Sequence, residues 1–168
     1  MAQHIINNSG EKSPAIYTSK KWKDFYQALC TNRNNTDGLN MPIFDKYTNL
    51  YTLCCVIGFK KNKRTPLETK ESLFTLEQID ENDEWPVLLS IAWLSGIKDL
   101  SVFANTKEML NVCSEYAETG IEILANMYPM NSLFKDGQLI TNKEPDDFKY
   151  DLITAISALK NDYLEEII

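Results

Sequence analysis

Apolar residues recur along this chain at steps of three and four rather than two, the spacing of helices that bury one face. In "KKWKDFYQALCT" (20–31), Trp22, Phe25, Tyr26, Leu29 and Cys30 share such a face and predict an amphipathic helix. From Ile43 the stepping is longer: Ile43, Tyr47, Leu50, Cys54 and Ile57 line up, and Leu53 and Val56 widen the stripe. That predicts a central, heavily buried helix, with Gly58 as its C′ stop. "ESLFTLEQI" (71–79) reads equally as a short strand or a helical turn.

Two further helices follow by the same rule. "ENDEWPVLLSIAWLSG" offers Asn82 or Asp83 as N-cap, Pro86 in the first turn, and an apolar stripe of Trp85, Leu88, Leu89, Ala92 and Trp93 that ends at Gly96. Asn105 opens the next helix, with Glu108 three residues on as a capping-box partner. Its stripe is Met109, Val112, Cys113, Tyr116, Ala117, Gly120, Ile121 and Leu124. Gly120 in mid-helix costs about 1 kcal/mol against alanine, which points to a close approach by another helix or loop. "FKDGQLIT" (134–141) reads as a turn with a short extended piece, one arm of a small hairpin. A last helix begins at Pro145, with Asp146 and Asp147 in its first turn and a stripe of Phe148, Leu152, Ala155, Ile156, Leu159 and Tyr163.

The expected fold class is therefore all-α, a compact bundle of about five helices with at most a minor hairpin. Residues 1–14 are polar and read as a mobile tail, and 15–168 as a single helical domain. The segment "NRNNTDGLNMP" between the first two helices is a loop by its turn residues.

Composition adds constraints. With 43% apolar and 11% aromatic residues over 168 positions, wholesale disorder is excluded. No apolar run approaches the ~20 residues of a membrane span, and the polar N-terminus lacks the pattern of a secretory signal, so a cytoplasmic protein is expected. Cys30, Cys54, Cys55 and Cys113 show no CxxC spacing and read as small buried hydrophobes rather than disulfides or zinc ligands. The net charge of −7 conceals a split: residues 1–70 hold 11 Lys/Arg and 5 Asp/Glu, and the remainder the opposite excess. Either the two halves separate in space and polarise the molecule, or they interleave and partly cancel.

Candidate catalysis is thin. The single histidine, His4, lies in the tail, which removes histidine triads and histidine-based metal sites. No Walker or dinucleotide glycine motif is present. Glu108, Glu115, Glu118 and Glu122 lie opposite an apolar stripe, as a solvated helix face does, and "DENDE" (80–84) reads as a solvated loop without calcium-loop spacing. No catalytic residue, cofactor or metal site is expected.

The one short segment with a functional cast is "GFKKNKRTPL" (58–67). Lys60, Lys61, Lys63 and Arg64 crowd just past a helix C-terminus, which has use for one or two cations but not four. Something anionic is expected beside them: the chain's own acidic helices, a partner protein, or a nucleic-acid backbone. Lys20, Lys21 and Lys23, with Trp22 interleaved, are expected to extend the patch.

The G-F-x(4)-R-T-P-L loop, followed at 115–121 by E-Y-A-x-x-G-I, resembles the small helical proteins encoded beside bacterial DNA-phosphorothioation genes, the Dnd-system-associated proteins. The resemblance covers roughly residues 44–128. It implies a place beside DNA-modifying or antiphage defence machinery and carries over no catalytic residue. The expected function is a non-enzymatic accessory or adaptor protein docking on a larger component of such an assembly. Lys60, Lys61, Lys63, Arg64 and Thr65 are its binding residues, and Gly58 and Pro66 shape the loop. The alternative is a stand-alone DNA-binding module using the same loop, with contacts that would be salt-sensitive and sequence-blind.

Overall fold

A computed structural model describes residues 13–30, 44–97 and 105–127, the strand pairs 134–135 and 138–139, and helical positions 150–151, 153–155 and 157–158. Helices dominate, but the chain is not purely all-α. Strand β1 (Ala15–Ser19) runs straight into α1 (Lys20–Leu29), and α2 spans Tyr47–Lys60. Strand β2 (Lys70–Thr75) leads through a 3-10 turn into α3 (Glu84–Ala92), and α4 spans Thr106–Asn126. β1 and β2 form an antiparallel pair that corrects the expected all-α class. "ESLFTLEQI" resolves its ambiguity by being both things, a strand to Thr75 and a helical turn at Leu76–Gln78. The short strands β3 (Phe134–Lys135) and β4 (Gln138–Leu139) pair antiparallel, Phe134 with Leu139 and Lys135 with Gln138, as the hairpin reading required.

The core is organised by α2 and α4. All eight positions of the α4 stripe are buried, from Met109 to Leu124. α2 is buried more completely than its sequence stripe predicts. Tyr51 and Cys55 have no exposure, whereas Leu53 and Val56 are only half-buried, so the buried face centres on Tyr51, Cys55 and Gly58. Tyr51 closes the core with its hydroxyl 3.0 Å from that of Ser114, and its ring stands edge-on to Phe74 of β2.

Gly58 is not a helix stop. α2 continues to Lys60, Lys61 is the C-cap, and Asn62 takes the left-handed conformation at φ 48° that ends the helix. Gly58 is glycine because α4 passes there: a Cβ on it would overlap the carbonyl of Tyr116. Gly120 makes the reciprocal contact, since a Cβ on it would overlap the carbonyl of Cys54. Cys54 and Gly58 face Gly120 and Tyr116 in opposite chain directions, so α2 and α4 cross antiparallel with their backbones almost touching. The close approach expected at Gly120 is made by a helix.

Carboxylates that look solvated in the sequence stitch helix N-termini together. Glu84 is 5% exposed. Its Oε1 accepts from Thr48 Oγ1 (2.7 Å) and Asn49 Nδ2 (2.8 Å) in the first turn of α2, and its Oε2 accepts from the Asp80 amide (2.9 Å). "DENDE" is thus half structural. Asp83 is the N-cap of α3 but offers no side-chain bond; the Asp80 carboxylate instead accepts the Asn82 and Asp83 amides, which holds its pKa below the usual value. At α4, Asn105 accepts the Glu108 amide at 3.2 Å as predicted, while the Glu108 carboxylate turns to the Asn105 side chain, so only one half of the capping box forms. α3 does not stop cleanly at Gly96 but widens into a π turn over Trp93–Ile97.

The four cysteines are free and buried, as their spacing implied. Burial pushes the Cys30 and Cys113 thiols up to about 12, and it raises those of Cys54 and Cys55 as well. In the tail, the Pro14 carbonyl is tied to the Leu76 amide at 2.9 Å, and residues 1–12 lie outside the described part. So do the 32–42 loop, Ile43, and Phe148, Leu152, Ile156, Leu159 and Tyr163 of the last helix; of that stripe Ala155 is described and is half-buried. Among the described residues no helix is long and apolar enough to cross a membrane.

Candidate functional site

The basic loop begins where α2 ends and is fastened to α4 at its far side. After Asn62 reverses the chain, the Lys63 amide returns to the Gly58 carbonyl at 3.3 Å. Two residues later the chain meets α4. The Arg64 guanidinium gives Nε (2.8 Å) and Nη2 (2.6 Å) to the same oxygen, Glu115 Oε2. The other carboxylate oxygen accepts from Asn111 Nδ2 at 3.2 Å, so Glu115 is held from both sides. The Arg64 guanidinium also lies 6.0 Å from the centre of the Tyr116 ring, within cation–π range.

Thr65 completes the fastening. Its amide donates to the Glu115 carbonyl (3.1 Å), and its hydroxyl lies 2.8 Å from that of Thr119. Thr119 in turn donates to the Glu115 carbonyl at 3.4 Å, which leaves Thr65 as donor in the hydroxyl pair. The two halves of the sequence motif therefore touch: Arg-Thr of the loop sits on Glu115, Tyr116 and Thr119 of the helix. The glycines of the same motif set the helix crossing directly beneath. This is why the chain needs that loop and that helix together.

Of the residues singled out in the sequence, Arg64 finds its anion within the chain. Lys60, Lys61 and Lys63 are exposed, as is Pro66 beyond the fastening. Lys63 borders an open cleft of about 350 Å³ with Thr119, Glu122 and Asn126 of α4.

Of Lys20, Lys21 and Lys23, expected to extend the patch, two pair with acids of the chain. Lys21 reaches toward α4, 3.9 Å from Glu118 Oε1 and 5.1 Å from the centre of the Trp22 ring. Lys23 instead turns to β2 and pairs with Glu71 at 3.0 Å. All three of these ion pairs join a cation of the basic N-terminal part to an acid of the rest of the chain. The two charge halves interleave here.

The expectation that the α4 glutamates face water fails at Glu118. It is 2% exposed, and its Oε2 accepts the Ser19 amide at 3.2 Å. A carboxylate at that point meets the positive end of the α1 dipole and replaces a missing side-chain cap, since Ser19 provides none. Glu115 is shielded by its partners, Glu122 is half-buried, and Glu108 is exposed. The signal for Glu115 was present in the E-Y-A-x-x-G-I motif, whereas Glu118 falls at one of its unspecified positions, and residue type alone read as solvation. Among the described residues no group of His, Cys, Asp and Glu is arranged to hold a metal ion.

A small, mostly helical protein with a basic loop clamped onto a glutamate-bearing helix is the class these features define. The family model for DNA sulphur modification system-associated protein 4 matches residues 16–146, and the chain belongs to that family. The match reaches well beyond 44–128, taking in β1, α1 and the β3–β4 hairpin. No curated protein and no solved structure matches the chain.

Proposed function

We propose that this protein is a non-enzymatic accessory component of a DNA sulphur modification system, docking on a larger protein of that system through the outer face of the 58–67 loop. The observation that supports this most is the clamp of Arg64 and Thr65 on α4. It holds the loop in one conformation, so that Lys60, Lys61 and Lys63 are presented from a fixed base and little ordering entropy remains to be lost on binding. Arg64 and Thr65 act as the loop's anchors, and the lysines as its contact.

A protein partner is favoured over DNA by charge. An overall balance of −7 makes an independent DNA binder poor, and the cation best suited to grip a phosphate bidentately is already bound to Glu115. The test is direct. Purified protein is titrated into a DNA duplex at low salt, and separately co-eluted with the components of its own modification system. The adaptor reading expects no duplex shift and co-elution with a system component. A shift that weakens steeply with salt, without protein co-elution, overturns it in favour of backbone binding.

A further inference from the structure

Apart from the lysine-bearing part of the loop, a groove of about 400 Å³ opens between β1 and the first turns of α4, within the size range of ligand sites (roughly 300–1,000 Å³). Buried Leu110 and Ser114 supply its floor, and Ala15 and Leu67 its apolar walls. On its rim stands Tyr17, a large ring left 40% exposed. The strand ladder puts Tyr17 opposite Ser72 and Ser19 opposite Lys70, so Tyr17 and Lys70 are diagonal neighbours on one sheet face. The register shifts between Ile16 and Tyr17, where Leu73 is the extra residue on β2. Bulges of this kind re-aim side chains next to binding sites. Across the groove, Lys107, Asn111 and Ser114 follow one another along a single face of α4.

We propose that this groove binds a mononucleotide unit, with the base stacked on Tyr17 and the phosphate between Lys70 and Lys107. The chemistry fits part by part. A flat aromatic base suits an apolar slot beside an exposed ring, because every base has a π-face to stack. A phosphate suits two ammonium groups on the rim, and the bond from Lys70 to Asn111 Oδ1 is a long one at 3.5 Å. Glu108, fixed at 3.2 Å to Asn105 Nδ2, offers an acceptor for a base amino group. An aliphatic acid would use the lysines but leave the ring and the amide-lined rim without purpose. A free nucleotide and one residue of a single strand present the same chemistry. The proposal does not depend on the basic loop.

The test uses 2-aminopurine, whose fluorescence is quenched by stacking. Three probes are titrated into the full chain: its deoxyribonucleoside, its deoxyribonucleoside 5′-monophosphate, and a short single-stranded oligonucleotide carrying it. Saturable quenching by the monophosphate or the oligonucleotide is expected, and which of the two binds more tightly identifies the source. Tyr17→Ala weakens binding by about tenfold or more, and Tyr17→Phe restores it. Lys70→Gln with Lys107→Gln weakens the phosphate-bearing probe but leaves the bare nucleoside unchanged. All three side chains are exposed, and melting curves confirm that the variants fold. The variant Lys60→Gln/Lys61→Gln/Lys63→Gln binds the probes as the natural protein does, which separates this site from the docking loop. Absence of saturable quenching with every probe, or quenching that survives Tyr17→Ala, overturns the proposal.

Discussion

Arg64 spends both its Nε and its Nη2 on one oxygen of Glu115, at 2.8 and 2.6 Å, and so the strongest cation of the basic loop belongs to the fold before it can belong to a partner. The pair is partly exposed, so its coupling is modest, about 0.5–1 kcal/mol. A double-mutant cycle with Arg64→Ala and Glu115→Ala measures it by urea unfolding. Each single change is expected to lower stability, and the double change to cost less than their sum. Strict additivity would show that the contact contributes nothing.

Gly58 and Gly120 reverse the usual rule for glycine in a helix. Elsewhere, Gly→Ala in mid-helix gains up to about 1 kcal/mol. Here an added Cβ meets the carbonyl of Tyr116 or of Cys54, and backbone cannot step aside as a side chain can. Gly58→Ala and Gly120→Ala are each expected to cost about 3 kcal/mol or more, as overpacking against a rigid neighbour does. An unchanged or raised melting temperature for either would mean that the helices do not cross so closely.

Much of this architecture is legible in the sequence, and the exceptions have physical causes. The α4 stripe, the Asn105 cap, the four buried cysteines and the paired short strands β3 and β4 are local patterns that the structure keeps. β1 is not local: "AIYTS" is too short to declare itself and becomes a strand only by pairing with residues 70–75, far along the chain. Gly58 misled because a glycine that ends a helix and one that admits a neighbouring backbone look alike in sequence. Glu84 and Glu118 misled for a related reason. Residue type says solvent, and only the helix N-termini brought to them by the fold say otherwise. For the loop, the excess of cations was visible, but which of them the fold consumes was not.

Glu118 gives a sharper contrast among the carboxylates. Removing a buried acceptor leaves the Ser19 amide unsatisfied, so Glu118→Ala is expected to cost about 2–3 kcal/mol. Glu108→Ala, at an exposed position, is expected to cost less than about 1 kcal/mol through its cap contact alone. Equal effects in thermal melts would contradict the burial of Glu118.

The buried thiols set a direction for alkaline stability. Unfolded, Cys30 and Cys113 release their protons near 9.0; folded, they keep them to about 12. Between those values the native state holds more protons than the unfolded one, so stability falls as pH rises and is unaffected by these groups below the window. Each thiol contributes a slope of about 1.4 kcal/mol per pH unit there. Urea midpoints are expected to hold up to about pH 8.5 and to drop from about pH 9 upward, and a thiol reagent to label the native protein far more slowly than the unfolded chain. A constant midpoint with rapid native labelling would contradict this.

Charge rescue decides whether the fastened loop offers its lysines to a protein partner. Two variants, Lys60, Lys61 and Lys63 all changed to Gln or all changed to Arg, are expressed beside the intact modification system, and each is both melted and captured with its partners. Loss of the co-purifying system component with Gln, beyond anything its melting curve explains, and retention of that component with Arg are expected. Retention with Gln, or a loss of partner that merely follows a loss of stability, would contradict the docking role.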